Sequence, residues 1–201
     1  MLGRHIALRA AHYHRAMLST KTTVASSQSA APTTSSSTTP VVHASPDRNA
    51  PGSVALSWLP PSPTRPAAAV IGWIPAASVP SGSTVLEAAQ LPPASFRANP
   101  AFVSAMHSAV AKHAHHDPEL VALAEHQGEG WMHVADARCP PSWGRIPDAD
   151  DIIGSVQLVN KTMVPGSYQR MPSHRLVSAH GLVVLSPFLH VRVLEALAEG
   201  H

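Results

Sequence analysis

Proline is dense from residue 40 to residue 93, in Pro60-Pro61-Ser62-Pro63, Pro75, Pro80 and Pro92-Pro93, and this limits what the first half of the chain can become. A backbone so short of N–H donors cannot build long helices or central strands. Residues 41–96 are therefore expected as a Pro-rich extended arm. Within it Val54–Leu59 and Val70–Ile74 carry Trp58 and Trp73 and are apolar enough to pack on a neighbouring surface, so the arm either straps the scaffold or binds a partner.

Beyond residue 97 proline changes its role and marks helix starts. Asn99-Pro100, Asp117-Pro118 and Ser186-Pro187 each place a capping side chain before a proline at the first helical position. Phe102, Val103, Met106 and Val110 then recur at three- and four-residue steps and predict a helix to about Lys112. Leu120 to Ala124 predict a second helix closed by Gln127-Gly128, and Phe188 to Leu197 predict a last one. Between them, Trp131–Ala135, Ile152–Val159, Thr162–Val164, Arg175–Ser178 and Leu182–Leu185 read as strands, with Asn160-Lys161 as a hairpin turn and Gly181 closing a short loop. The expected class is α+β: a single small domain over 97–201, with an antiparallel sheet of about four to five strands, two helices before it and one C-terminal helix.

The opening of the chain is distinguished by charge. Arg4, Arg9, Arg15 and Lys21 precede the first acidic residue, Asp47. Leu2, Ile6, Ala10, Tyr13 and Met17 share one helical stripe, and Arg4 and Arg15 point away from it. A cationic amphipathic segment without carboxylates suits import against an inside-negative potential, so residues 1–40 read as a mitochondrial presequence with a disordered Ser/Thr-rich linker. Cleavage is expected between Met17 and Ala31. Arg and His interrupt every apolar run that a secretory signal would need, and no transmembrane segment of about 18 apolar residues occurs.

Four of the fourteen Lys plus Arg lie before residue 41, leaving ten against twelve Asp plus Glu, a net charge of −2 for the remainder. That balance, without a basic run, argues against dedicated nucleic-acid binding. A single cysteine, Cys139, excludes an internal disulfide. It reads as a small, partly buried thiol, and a nucleophilic role would need a histidine or helix N-terminus beside it in space. Of fourteen histidines, His107, His113, His115, His116 and His126 gather around the first two helices. His113, His116 and Asp117 are the weak metal candidates there, set against a solvated His-rich turn. Asp148, Asp150 and Asp151 read as the polar entrance to a strand. Hydrolase, dinucleotide and NTPase motifs are missing, and no cofactor is expected.

The segment from Pro165 to Arg175 combines a rigid backbone with Tyr168, Arg170, His174 and Arg175. Loops held by a scaffold are where recognition concentrates. With Trp143 and Arg145 from the preceding connection, these six residues are the candidate ligand- or partner-binding set; the competing reading is a well-packed structural loop, with Arg175 paired to Asp151 or Asp148. The runs Gly130–Asp136, Gly144–Asp148, Asp151–Val156, Pro165–Gln169 and Met171–Val177 together resemble a family of small, largely uncharacterised fungal mitochondrial proteins, over about residues 70–198. The resemblance implies the mitochondrial address and brings no catalytic residues. The function expected is that of a non-catalytic mitochondrial matrix accessory protein, with protein partners in a larger assembly such as the mitoribosome or a respiratory complex. The alternative is a small enzyme or ligand-binding domain with its site between the 139–145 and 165–175 loops.

Overall fold

Short apolar strands survive among the prolines because the prolines fall at strand ends and in the connections. The computed structural model describes residues 40–142 and 145–199, so the proposed presequence and linker lie outside the described residues, apart from Pro40. Strands β1 (Val42–Pro46), β2 (Ser53–Ser57), β3 (Gly72–Pro75), β4 (Val85–Leu86) and β5 (Arg97–Ala98) form one antiparallel sheet in the order β4-β1-β2-β3-β5. Pro46 and Pro75 stand at the ends of β1 and β3, and Pro60, Pro61, Pro63 and Pro66 all lie in the β2–β3 connection.

The 41–96 segment is extended, as its composition predicts, but it is not a separate arm on a 97–201 domain. Its strands pair with one another, and Val42, Leu56, Ile71 and Ile74 enter the same apolar cluster as the helices. Proline density averaged over fifty residues conceals four- and five-residue stretches in which every needed N–H is present.

Asn99 joins this sheet to the first helix, α1 (Pro100–His113). Its Oδ1 accepts the Ala101 N–H at 3.1 Å, the capping contact, and its Nδ2 donates to the carbonyls of Ala67 at 2.9 Å and Val70 at 2.7 Å. Phe102, Met106 and Val110 then bury the stripe anticipated for α1, each contributing about 1.5–3 kcal/mol through removal from water. Trp58 meets Phe102 edge-on, with ring centroids 5.3 Å apart.

Asp117 caps α2 (Pro118–Gln127) through the N–H groups of Glu119 at 2.8 Å and Leu120 at 3.3 Å. Its other oxygen accepts the Ser186 hydroxyl, and Ser186 Oγ accepts the Leu189 N–H of α3 (Pro187–Glu199), so two helix starts share one buried carboxylate. α3 buries Leu189, Val193 and Leu197 at four-residue steps. α2 buries only Ala124 fully and leaves Leu123 39 % exposed.

The second antiparallel sheet comprises β6 (Gly130–Ala135), β7 (Ile152–Val159), β8 (Thr162–Met163) and β9 (Gln169–Arg170), with β7 between β6 and the other two. Asn160 and Lys161 turn β7 into β8 with φ of 50° and 64°, the paired positive values that a type I′ hairpin requires. A further hairpin, β10 (Val177–Ser178) and β11 (Gly181–Leu182), stands apart as a two-stranded ribbon. The class is α+β: antiparallel sheets with three α-helices among the described residues, the last of them C-terminal.

Asn99→Asp preserves the helix cap but turns a carboxylate oxygen toward two carbonyls. It is expected to destabilise the fold by about 1–3 kcal/mol in chemical denaturation, well beyond the few tenths expected of a simple exchange of good caps.

Candidate functional site

Arg138 is the structural origin of the site. It lies in the connection after β6 with its side chain 1 % exposed, and all five of its N–H groups are used. Nε donates to Asp151 Oδ1 at 2.9 Å, Nη1 to the carbonyls of Leu176 at 3.2 Å and Gly181 at 3.1 Å, and Nη2 to those of Asp150 at 3.1 Å and Arg175 at 2.8 Å. Asp136 also stands beside it, with Oδ2 3.3 Å from the same Nε. Asp136 Oδ1 accepts the backbone N–H groups of Arg138 at 3.0 Å and Val184 at 2.9 Å. A buried cation between two buried carboxylates thus ties the strand-leaving segment 136–138 to the β7 entrance, the 174–176 segment and the β10–β11 hairpin.

That frame positions His174. Its Nε2 lies 3.2 Å from Asp136 Oδ2, an arrangement in which the carboxylate fixes the ring and leaves Nδ1 as the free nitrogen. The His107 ring of α1 stands edge-on to it, with centroids 6.4 Å apart. His107 Nδ1 is 2.7 Å from the Tyr168 hydroxyl, which also lies 3.4 Å from the Ile153 carbonyl. Tyr168 reaches this position because Gly154 of β7 has no side chain: a Cβ there would stand 2.5 Å from the Tyr168 ring.

The two imidazoles face a cavity of about 300 Å³ lined also by Phe96, Val103, Arg170 and Arg175. The Arg170 guanidinium makes no hydrogen bond or ion pair to a described residue, whereas exposed Arg175 lies 3.5 Å from Asp150. Burial, followed by the positive charges of Arg170 and His174, pushes the His107 pKa down to about 4. Burial also raises the Tyr168 hydroxyl well above its ordinary value, with Arg170 opposing. Both members of the pair are neutral at pH 7.

Of the residues singled out from sequence, Tyr168, Arg170, His174 and Arg175 gather around this cavity and its rear wall. Arg145 does not: it lines a separate groove of about 500 Å³ with Leu123, His126 and Ile146. Trp143 lies outside the described residues. His113 lies in the groove between α1 and α3, His116 stacks on His115 with centroids 3.9 Å apart, and Asp117 is committed to its two helix caps. Asp151 is the buried partner of Arg138, and Arg175 pairs with Asp150 rather than with Asp148 or Asp151.

Sequence reasoning did not identify Asp136, Arg138 or the role of His107. The one local trace was His107 itself, which falls on the buried stripe one residue after Met106. The groove between α1 and α3, about 640 Å³, is larger, but two of its charged groups, Arg192 and Glu195, already pair at 2.8 Å on the surface. Comparison with protein-family models, with curated proteins and with solved structures finds no match to this chain.

The lowered His107 pKa sets a direction for acid stability. The folded value, about 4, lies below the ordinary 6.5, so between these values the unfolded chain binds a proton that the folded chain refuses. The stability that His107 contributes is intact above pH 6.5 and is lost as pH falls toward 4. His190, packed on Trp58 and also lowered by burial, acts in the same direction. Chemical denaturation from pH 7.5 to 4.5 is expected to show falling stability, and His107→Gln is expected to flatten that slope.

Proposed function

We propose that this chain is a binding domain whose His107/His174 cavity takes a small anion, a carboxylate or phosphate group. The observation that carries the reading is the convergence of a guanidinium unpaired among the described residues, Arg170, with two imidazoles whose rings are fixed by Asp136 and Tyr168. A cavity of about 300 Å³ is at the small end of ligand sites, and a few convergent polar groups set against apolar walls, here Phe96 and Val103, are the usual composition of one. With the Tyr168 hydroxyl donating to Nδ1, neutral His107 offers an Nε2–H donor, while Arg170 supplies the charge and His174 forms the wall opposite. Among the described residues the lining offers groups that hold an anion, and the reading is of binding.

Thermal unfolding against a panel of small carboxylates and inorganic phosphate tests this. A ligand at about 100 times its Kd stabilises by about 2.7 kcal/mol, and Arg170→Gln is expected to remove most of that shift while leaving the unliganded protein unchanged. A panel without any shift, or equal shifts in the variant, contradicts the proposal.

A second reading places the domain in the mitochondrial matrix as a non-catalytic accessory of a larger assembly. It is supported by the acid-free cationic leader and by the exposed apolar residues Leu123 and Ile146, 39 % and 74 % exposed, along the 500 Å³ groove. In mitochondrial extracts the protein is expected to co-sediment with a large particle at low salt. Migration as a free monomer at every salt concentration counts against this reading.

A further inference from the structure

Arg138 has a second consequence, at Asp151. Both of its contacts with Asp151, Nε at 2.9 Å and Nη2 at 2.8 Å, fall on Oδ1. Asp151 is 3 % exposed, yet its Oδ2 accepts no hydrogen bond from a described residue and faces His180 Nδ1 at 3.8 Å. The thiol of Cys139, one residue beyond Arg138, completes the group: the sulfur, an imidazole nitrogen and a carboxylate oxygen all lie within 4.8 Å of one another. Among the described residues this is the one set of three such donors that closes to that range.

We propose that Cys139, Asp151 and His180 form a binding site for a zinc-type divalent metal ion. Thiolate, imidazole and carboxylate are the donors that Zn²⁺ takes, and three protein ligands with a fourth position open is a recognised arrangement. Bond lengths of about 2.0–2.3 Å place tetrahedral donors about 3.3–3.8 Å apart. The His180–Asp151 separation already meets that, and the thiol must close by roughly 1 Å. The geometry allows it: His180 sits at the tip of the β10–β11 hairpin with its side chain 51 % exposed, and Cys139 is half-buried in a loop. Asp151 does not need to move, since Arg138 holds Oδ1 and leaves Oδ2 as a single donor, the outer-shell support expected of a ligating carboxylate. Two anionic ligands, the metal dication and Arg138 leave one net positive charge, less than Arg138 carries together with a free metal ion. Binding would release the thiol proton and so weaken as pH falls.

The site is tested on the reduced full-length chain with Co²⁺ as a spectroscopic substitute and Zn²⁺ as competitor. Cys139 is the sole cysteine, so a thiolate-to-cobalt charge-transfer band can arise only there, whatever the other histidines bind. Because Asp151 also anchors Arg138, the variants are Cys139→Ser and His180→Ala, which leave the core untouched. One equivalent of Co²⁺ is expected to produce the band and Zn²⁺ to abolish it. Cys139→Ser should remove the band, and each variant should weaken zinc binding by more than roughly 100-fold, the upper end of what losing an outer-shell partner costs. Absence of the band overturns the proposal, as does unchanged zinc affinity in either variant while circular dichroism shows the fold retained.

Discussion

The Asp136–Arg138–Asp151 group is the interaction on which the second half of the molecule depends. An ion taken from water into a protein interior loses several kcal/mol of hydration, and the loss is repaid only when geometry and hydrogen bonding are both complete. Here they are: the five guanidinium donors reach one carboxylate and four backbone carbonyls, and Asp136 accepts two backbone N–H groups besides its contacts with Arg138 and His174. A lysine could not replace this fork, since an ammonium offers three donors from one point. Four carbonyls from separated segments, those of Asp150, Arg175, Leu176 and Gly181, are therefore drawn to one side chain, and loops of low regular content acquire a fixed geometry.

Both sites follow from that geometry. For one, Asp136 fixes His174, which stands against His107, itself held by Tyr168 seated over Gly154. For the other, Asp151 gives one oxygen to Arg138 and turns the second toward His180, beside Cys139. The anion-binding proposal and the metal proposal thus rest on the two carboxylates of one network, yet use different residues.

What sequence made legible was local chemistry. Asn99-Pro100, Asp117-Pro118 and Ser186-Pro187 mark the three helix starts because capping and a fixed φ act within four residues. Asn160-Lys161 marks its hairpin, and β7 spans the anticipated Ile152–Val159. The strands between 42 and 98 are hidden by the proline density of the whole segment, because the sheet uses short proline-poor stretches within it. β9 has only two residues and is defined by pairing with β7 rather than by any pattern of its own. The site was half legible: Tyr168, Arg170, His174 and Arg175 stood out as an unusual loop, but what orders them did not. Arg138 looked like any charged loop residue, and its partners at 150, 175, 176 and 181 follow from topology alone. Cys139 was recognisable as needing a histidine in space, but His180 is forty-one positions away.

The most direct test of this account is site-resolved hydrogen exchange on Arg138→Met compared with the unaltered protein. Removing the cation leaves two buried carboxylates uncompensated, a loss of about 3–5 kcal/mol. The account predicts that protection collapses at the Val184 N–H bonded to Asp136, the Ala137 N–H bonded to Val184 and the Val183 N–H bonded to Leu176, while the amides of α1 beyond its first turn change far less. Protection at those three amides equal to that of the unaltered protein would contradict it.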